Sequence, residues 1–186
     1  MRVQPHLLTL TLSALTLWTR PCAALAVGQN APDIALPDSP VASQLSQLRG
    51  RHVYVDFWAS WCAPCQQSFV WMRQLQARHR PEKLTVLAIN LDKQRGDAER
   101  FLKKHPAGFA LAFDPAAEAA RRFEVNTMPS AYLISPQGQV LWVHRGFHPQ
   151  DVPTLTAQLE RLIEASPAPP GNGQAQNTAP GLKGQE

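Results

Sequence analysis

The stretch that most restricts how this chain can fold is HVYVDFW (52–58) running straight into ASWCAPC (59–65). Its first half is dense in β-branched and aromatic residues and follows the turn signal Arg49-Gly50, so it reads as a buried strand. From Pro64 to His79, Phe69, Met72 and Leu75 recur at helical spacing, so a helix follows the strand with almost no loop. Leu84–Leu91 is a second apolar run of strand length. Gly96–His105 places Ala98, Phe101 and Leu102 on one helical face before Pro106 stops it. Ala110–Phe113 reads as a short strand. Asp114-Pro115 reads as the cap and first turn of a helix reaching Phe123, because Asp accepts from free helix N–H groups and Pro lacks one. Ala131–Ser135 and Val140–Arg145 flank Pro136-Gln137-Gly138-Gln139 as an antiparallel hairpin. Pro149–Ala165 carries Val152, Leu155, Leu159 and Leu162 on one face of a last helix. This order predicts an α/β domain whose central mixed sheet has parallel strands first and a terminal antiparallel hairpin, flanked by helices.

The ends of the 186-residue chain differ in kind from this core. Arg2 precedes an apolar run from Leu7 to Trp18, then Arg20-Pro21 and the small residues of Ala24-Leu25-Ala26. That is the layout of a cleaved secretory signal over 1–26. Its twelve apolar residues would cover about 18 Å as a helix, short of a roughly 30 Å hydrocarbon core. Acylation of Cys22 is the alternative, but Thr19-Arg20-Pro21 is unlike the Leu-Ala-Gly that precedes a lipidated cysteine. Residues 166–186 (SPAPPGNGQAQNTAPGLKGQE) lack apolar periodicity and read as a disordered tail. One domain over 27–165 remains. Cleavage leaves Cys62 and Cys65 as the sole cysteines, in an oxidising compartment. It also removes Arg2 and Arg20, leaving 16 basic residues against 14 acidic ones. The basic residues are scattered or interleaved with acids, as in DAERFLKKH (97–105), so no nucleic-acid stripe is expected.

The chemistry lies where the first strand meets its helix. Two residues between Cys62 and Cys65 let both sulfurs meet over one helical turn, so the pair can cycle between dithiol and disulfide. Cys62 opens the helix, where the dipole and free N–H groups favour a thiolate; Cys65, one turn in, is the more buried thiol. Pro64 fits the first turn, where its missing N–H costs nothing. Half a zinc site looks the same. With no second pair, a four-thiolate site within one chain is excluded, and a Cys₂His₂ site would need two of His52, His79, His105, His144 and His148. No metal is expected.

VYVDFWASWCAPC (53–65) resembles the thioredoxin active-site strand and turn, and the domain outline resembles the exported TlpA/ResA/DsbE-type thiol–disulfide oxidoreductases. Gly28-Gln29-Asn30-Ala31-Pro32-Asp33, the added strand–helix material around 92–113, and Thr127-Met128-Pro129-Ser130 before a strand agree with this. The likeness implies a thioredoxin fold with an N-terminal extension and a central strand–helix insertion. It also implies Cys62 as nucleophile, Cys65 as resolving cysteine and Pro129 as a cis-proline facing them. Thr127, Met128 and Trp61 would then meet substrate, the backbone at 128 pairing with an extended segment. Asp56, mid-strand, matches the acid that moves protons to or from the buried cysteine in thioredoxins; desolvation would raise its pKa. A backbone or lysine partner for Asp56 is the alternative. Trp58 and Trp61 are expected as packing and docking surface. Ser68 and Val70 stand where many TlpA/ResA-type members have Glu and Pro, and Asn126-Thr127 where many have Gly.

These readings together predict a monomeric, exported thiol–disulfide oxidoreductase with no cofactor beyond the redox-active Cys62–Cys65 pair. Ala63-Pro64 adds no positive charge, so the couple is expected to be reducing, acting on disulfides of exported proteins such as apocytochrome c. It would draw electrons from a membrane thiol transporter. Three alternatives stand beside it: a Cu(I)-handling module using Cys62, Cys65 and Met128, a thiol peroxidase, and a redox-inert binding domain. The peroxidase reading lacks its Pro-x-x-x-Thr-x-x-Cys context here.

Overall fold

The computed structural model describes residues 25–166. The expected signal segment, apart from Leu25 and Ala26, lies outside the described residues, as do Cys22 and all of the expected tail except Ser166. Five strands form one sheet: β1 (His52–Trp58), β2 (Leu84–Asn90), β3 (Ala110–Phe113), β4 (Ser130–Ile134) and β5 (Val140–Arg145). Their order is β3-β2-β1-β4-β5. β1 is parallel to β2 and antiparallel to β4; β3 joins β2 in parallel and β5 joins β4 antiparallel. The thioredoxin-like α/β fold expected from the sequence is therefore the one observed. β1 lies at its centre with all seven residues buried.

Alternation along β1 sends successive side chains to opposite faces. Tyr54 and Trp58 enter a core made with the helices α1 (Ala63–Arg78), α2 (Arg95–Lys104) and α4 (Val152–Ala165). Val53, Val55 and Phe57 enter a second core with α3 (Glu118–Arg122) and the N-terminal extension. On the first face Trp58, Phe69 and Phe101 form a triangle with ring centroids 4.7–5.0 Å apart, which fixes α1 and α2 against the end of β1. The Trp71 indole N–H donates to Thr156 Oγ1 at 3.0 Å, tying α1 to α4.

The extension runs antiparallel beside the β4–β5 turn. Gly28 N–H donates to Val140 O at 2.8 Å, Val140 N–H to Gln29 O at 2.8 Å, and Ala31 N–H to Gly138 O at 2.9 Å. Gly138 has φ +86°, a left-handed turn that a side chain would strain. Asp33 accepts from Ser46 N–H and Oγ, both at 2.8 Å, and so holds a 3₁₀ turn at Leu45–Leu48 under the second core. Leu25 joins that core two residues upstream of the boundary read from the sequence.

Two local expectations are corrected. α3 begins at Glu118 rather than at Pro115. Asp114–Ala117 closes a turn instead, with Ala117 N–H to Asp114 O at 2.9 Å and Ala117 left-handed at φ 55°. Asp114 still caps the helix from outside it, accepting from Glu118 N–H at 2.8 Å and Ala120 N–H at 3.2 Å. In α4 the buried stripe is Leu155, Leu159 and Ile163, and Leu162 is only half-buried beside it. Pro149–Asp151 forms a separate 3₁₀ turn ahead of α4.

From α1, Phe69 touches the rings of Trp58, Phe101 and Phe109. Phe69→Ala is expected to lower the unfolding free energy by about 3–5 kcal/mol in urea; a loss below about 1 kcal/mol contradicts this packing.

Candidate active site

α1 starts abruptly. After Trp58 the chain turns through Ala59-Ser60-Trp61, and Cys62 takes extended angles as the helix N-cap. Its carbonyl accepts from Cys65 N–H at 3.1 Å and Gln66 N–H at 3.3 Å. Pro64 lies in the first turn, and no acidic residue does. Cys62 and Cys65 are joined by a disulfide, their Cα atoms 5.3 Å apart. Cys65 is fully buried, whereas Cys62 retains 5 % exposure and lines a groove that Cys65 does not reach. The asymmetry read from the sequence is present: an outer sulfur at the helix mouth and an inner one a turn deeper.

The groove, of about 620 Å³, lies between the cysteine turn and α3. Trp61, Leu91, Ala120, Val125 and Met128 give it apolar walls, and Asn126, Thr127 and Arg121 add polar ones. Trp61 is 70 % exposed, unlike Trp58, whose ring is enclosed. Met128–Pro129 is a cis peptide bond, with Pro129 buried at the start of β4. Ser130 Oγ donates to Thr127 O at 2.8 Å and Gly146 N–H to Pro129 O at 2.8 Å, fixing this turn from both sides. Thr127, Met128, Trp61, Cys62 and Pro64 therefore share one rim. Tyr54 and Trp71 are core side chains, packed edge to face at 5.5 Å.

Asp56 stands apart from the groove. It is 1 % exposed, pairs across the sheet with Ala88 and Ala131, and falls in the Tyr54–Trp58 row on the α1 side. Its Oδ2 has no hydrogen-bond partner among the described residues. Burial pushes the carboxyl well above the usual carboxylate range, so it is neutral where surface acids are ionised. Burial and the neighbouring Asp56 likewise push the Tyr54 hydroxyl well up.

Asp92, Asn90 and Ser60, missed by the sequence reading, form a hydrogen-bonded cluster at the cysteine turn. Asp92, just beyond β2, is 4 % exposed and accepts from the Ser60 backbone and hydroxyl and from the Asn90 amide. Leu91 N–H donates to Trp58 O at 2.9 Å in the same junction. The available signal was Asn90 and Asp92 closing an apolar parallel strand, since sites of α/β sheets lie beyond the carboxyl ends of such strands. Among the described residues, no cluster of three or more His, Cys, Asp or Glu side chains is arranged to hold a metal.

The neutral Asp56 has a measurable signature. Below about pH 4 its carboxyl is protonated in the folded and unfolded chains alike. As pH rises the unfolded carboxyl ionises first, so the folded state loses stability until its own carboxyl ionises. Each unit of elevation is worth about 1.4 kcal/mol. Urea unfolding of the oxidised protein is expected to show wild type losing ground to Asp56→Asn as pH rises above about 4. Parallel profiles contradict a neutral Asp56.

Residues 27–143 match the model of the AhpC/TSA family. The thiol-disulfide oxidoreductase ResA of Geobacillus kaustophilus is 28 % identical over 144 residues, covering 76 % of this chain and 79 % of the relative. ResA of Bacillus subtilis is 27 % identical over 124 residues, covering 66 % and 69 %. Among solved structures, one from Chlorobium tepidum bearing the name thiol:disulfide interchange protein DsbE superposes with a TM-score of 0.71 at 45 % identity. It covers 75 % of this chain and 99 % of that one. The structure shows a bridged Cys62–Cys65 pair at a helix N-terminus and a cis Met128–Pro129 bond, with Cys62 and Met128 lining one groove. The chain belongs to the AhpC/TSA family, among the thiol–disulfide oxidoreductases of the ResA/DsbE type.

Proposed function

We propose that this oxidoreductase works outside the cytoplasm as a reductase of disulfides in exported proteins. The single observation that carries the reading is the split environment of the cysteine pair. One sulfur opens on an apolar groove, and the other is enclosed in the core layer that holds the neutral Asp56. The reading takes 1–26 as a cleaved signal, 27–165 as the working domain and 166–186 as a tail.

The α1 N-terminus stabilises a Cys62 thiolate through its dipole and first-turn N–H groups. The thiolate attacks one sulfur of a substrate disulfide; that bond breaks, the departing sulfur takes up a proton, and a mixed disulfide forms. Cys65 passes its proton, by way of the small ionised fraction of Asp56, to the departing substrate sulfur, attacks the Cys62 sulfur and releases the second substrate thiol. Two electrons have passed to substrate, and the Cys62–Cys65 disulfide remains. A second dithiol must reduce it again, which outside the cytoplasm calls for a membrane thiol transporter. Thr127 and Met128 border the groove beside cis-Pro129 and offer backbone to an extended substrate segment, with Trp61 covering it. Ala63-Pro64 brings no positive charge to the thiolate, which supports a reducing couple. Candidate substrates include oxidised apocytochrome c.

Insulin reduction and equilibration with glutathione test this directly. Wild type is expected to reduce insulin and to have a potential well below the strongly oxidising value of about −120 mV. Cys62→Ser is expected to lose the activity outright. A potential near that oxidising value, or activity surviving in Cys62→Ser, contradicts the reading. Cys65→Ala is expected to accumulate mixed disulfides through Cys62 in the native compartment, which names the substrate. Anaerobic Cu(I) titration is the control: tight copper binding that Cys62→Ser abolishes, in a protein unable to reduce insulin, supports the copper-handling alternative instead.

A further inference from the structure

Asp92 is a second buried carboxyl at this end of the sheet, and the exchange steps above make no use of it. Its surroundings are the opposite of those of Asp56. Oδ2 accepts from Ser60 N–H at 3.0 Å and from Asn90 Nδ2 at 2.8 Å; Oδ1 accepts from Ser60 Oγ at 3.0 Å and lies 3.3 Å from Ser60 N. The Asp92 N–H in turn donates to Asn90 Oδ1 at 3.0 Å. Every group facing the carboxyl oxygens is a donor, which is the environment that suits an anion. Ser60 is two residues before Cys62, so their Cα atoms lie within about 7.6 Å.

We propose that Asp92 is a positioning residue with an electrostatic effect. It clamps the cysteine turn through Ser60 and holds a fixed negative charge behind Cys62, which disfavours the thiolate and sets the couple toward the reducing end. This rests on the oxidoreductase reading and adds the element that tunes it. A like charge near a thiolate destabilises the ionised dithiol but leaves the uncharged disulfide alone, so the disulfide form is favoured. The other charged groups around the turn do not duplicate the effect. Asp56 on β1 is neutral. Arg121 on α3 lines the far side of the groove and donates to Ala116 O. On α2, Arg100 is paired with Asp97, and Lys104, with His105 just past the helix, borders the cleft beside Ser60 and Gln66. Lys93, Arg95 and Asp38 share the solvent side of Asp92, with Arg95 bound to Asp38 and Glu99.

Substitutions separate charge from clamp. In Asp92→Asn the amide oxygen can take over the bonds of Oδ2, and the NH₂ can donate to Ser60 Oγ, so the clamp survives without its charge. Asp92→Ser is a second charge-free variant should the first fail to fold. Ser60→Ala keeps the charge and removes the hydroxyl bond. Each is equilibrated with glutathione from about pH 5 to about pH 9, with thermal unfolding of the oxidised form as a folding check. At about pH 9 the charge-free variants are expected to shift roughly three- to tenfold toward the dithiol, as for unit charges on the order of 10 Å apart across a partly solvated boundary. At about pH 5, where the thiol is uncharged, they are expected to coincide with wild type. Ser60→Ala is expected to stay within about twofold throughout. A folded charge-free variant that matches wild type at every pH overturns the proposal, as does a Ser60→Ala shift of equal size. A wild type that fails to exchange with glutathione at all overturns the oxidoreductase reading beneath it.

Discussion

The junction between β1 and α1 is the constraint on which the rest of the molecule depends. β1 is central in the sheet and buried along its whole length, so its carboxyl end cannot shift without disturbing both cores. The chain leaves it at Trp58, whose ring is locked between Phe69 and Phe101, and re-enters regular structure at Cys62. Three residues are too few for a flexible excursion. The first turn of α1 is thereby pointed outward at a fixed depth, with one sulfur at the surface and the next one turn below. The cis-Pro129 turn belongs to β4, which pairs with β1 directly, so the groove inherits its geometry from the same strand.

Two carboxyls sit beneath this junction, in contrasting surroundings. Asp56 is enclosed with no partner for Oδ2 among the described residues, a costly arrangement of the kind found where a buried group must change its protonation state. Asp92 is surrounded by donors that also hold the backbone of the cysteine turn. The cost of burying Asp56 falls on the fold, and the aromatic packing around Trp58 and Phe69 offsets it.

Much of this was legible in the chain. The apolar runs at 52–58 and 84–91 were readable because they are continuous, and the helix from Cys62 because Phe69, Met72 and Leu75 keep its period. The cysteine pair and Met128-Pro129 were readable because few residue types do their work. Asp92 and Ser60 were not, because a polar pair after a strand is ordinary until β1 and β2 are set side by side. The start of α3 was misplaced because Asp114 caps from within a preceding turn, and a left-handed Ala117 leaves no trace in composition. The groove was invisible for a related reason: its walls come from the cysteine turn, α3 and the segment before β4, which only the fold brings together.

The central claim is that Cys62 is the reactive sulfur and Cys65 the enclosed one. Site-resolved alkylation of the reduced protein, mapped by mass spectrometry across pH, tests it most directly. Cys62 is expected to be modified first, with its rate rising at a pH below that of an ordinary thiol, about 8.5. Cys65 is expected to stay protected until the protein unfolds. Equal rates at the two cysteines, or faster modification of Cys65, would contradict the account.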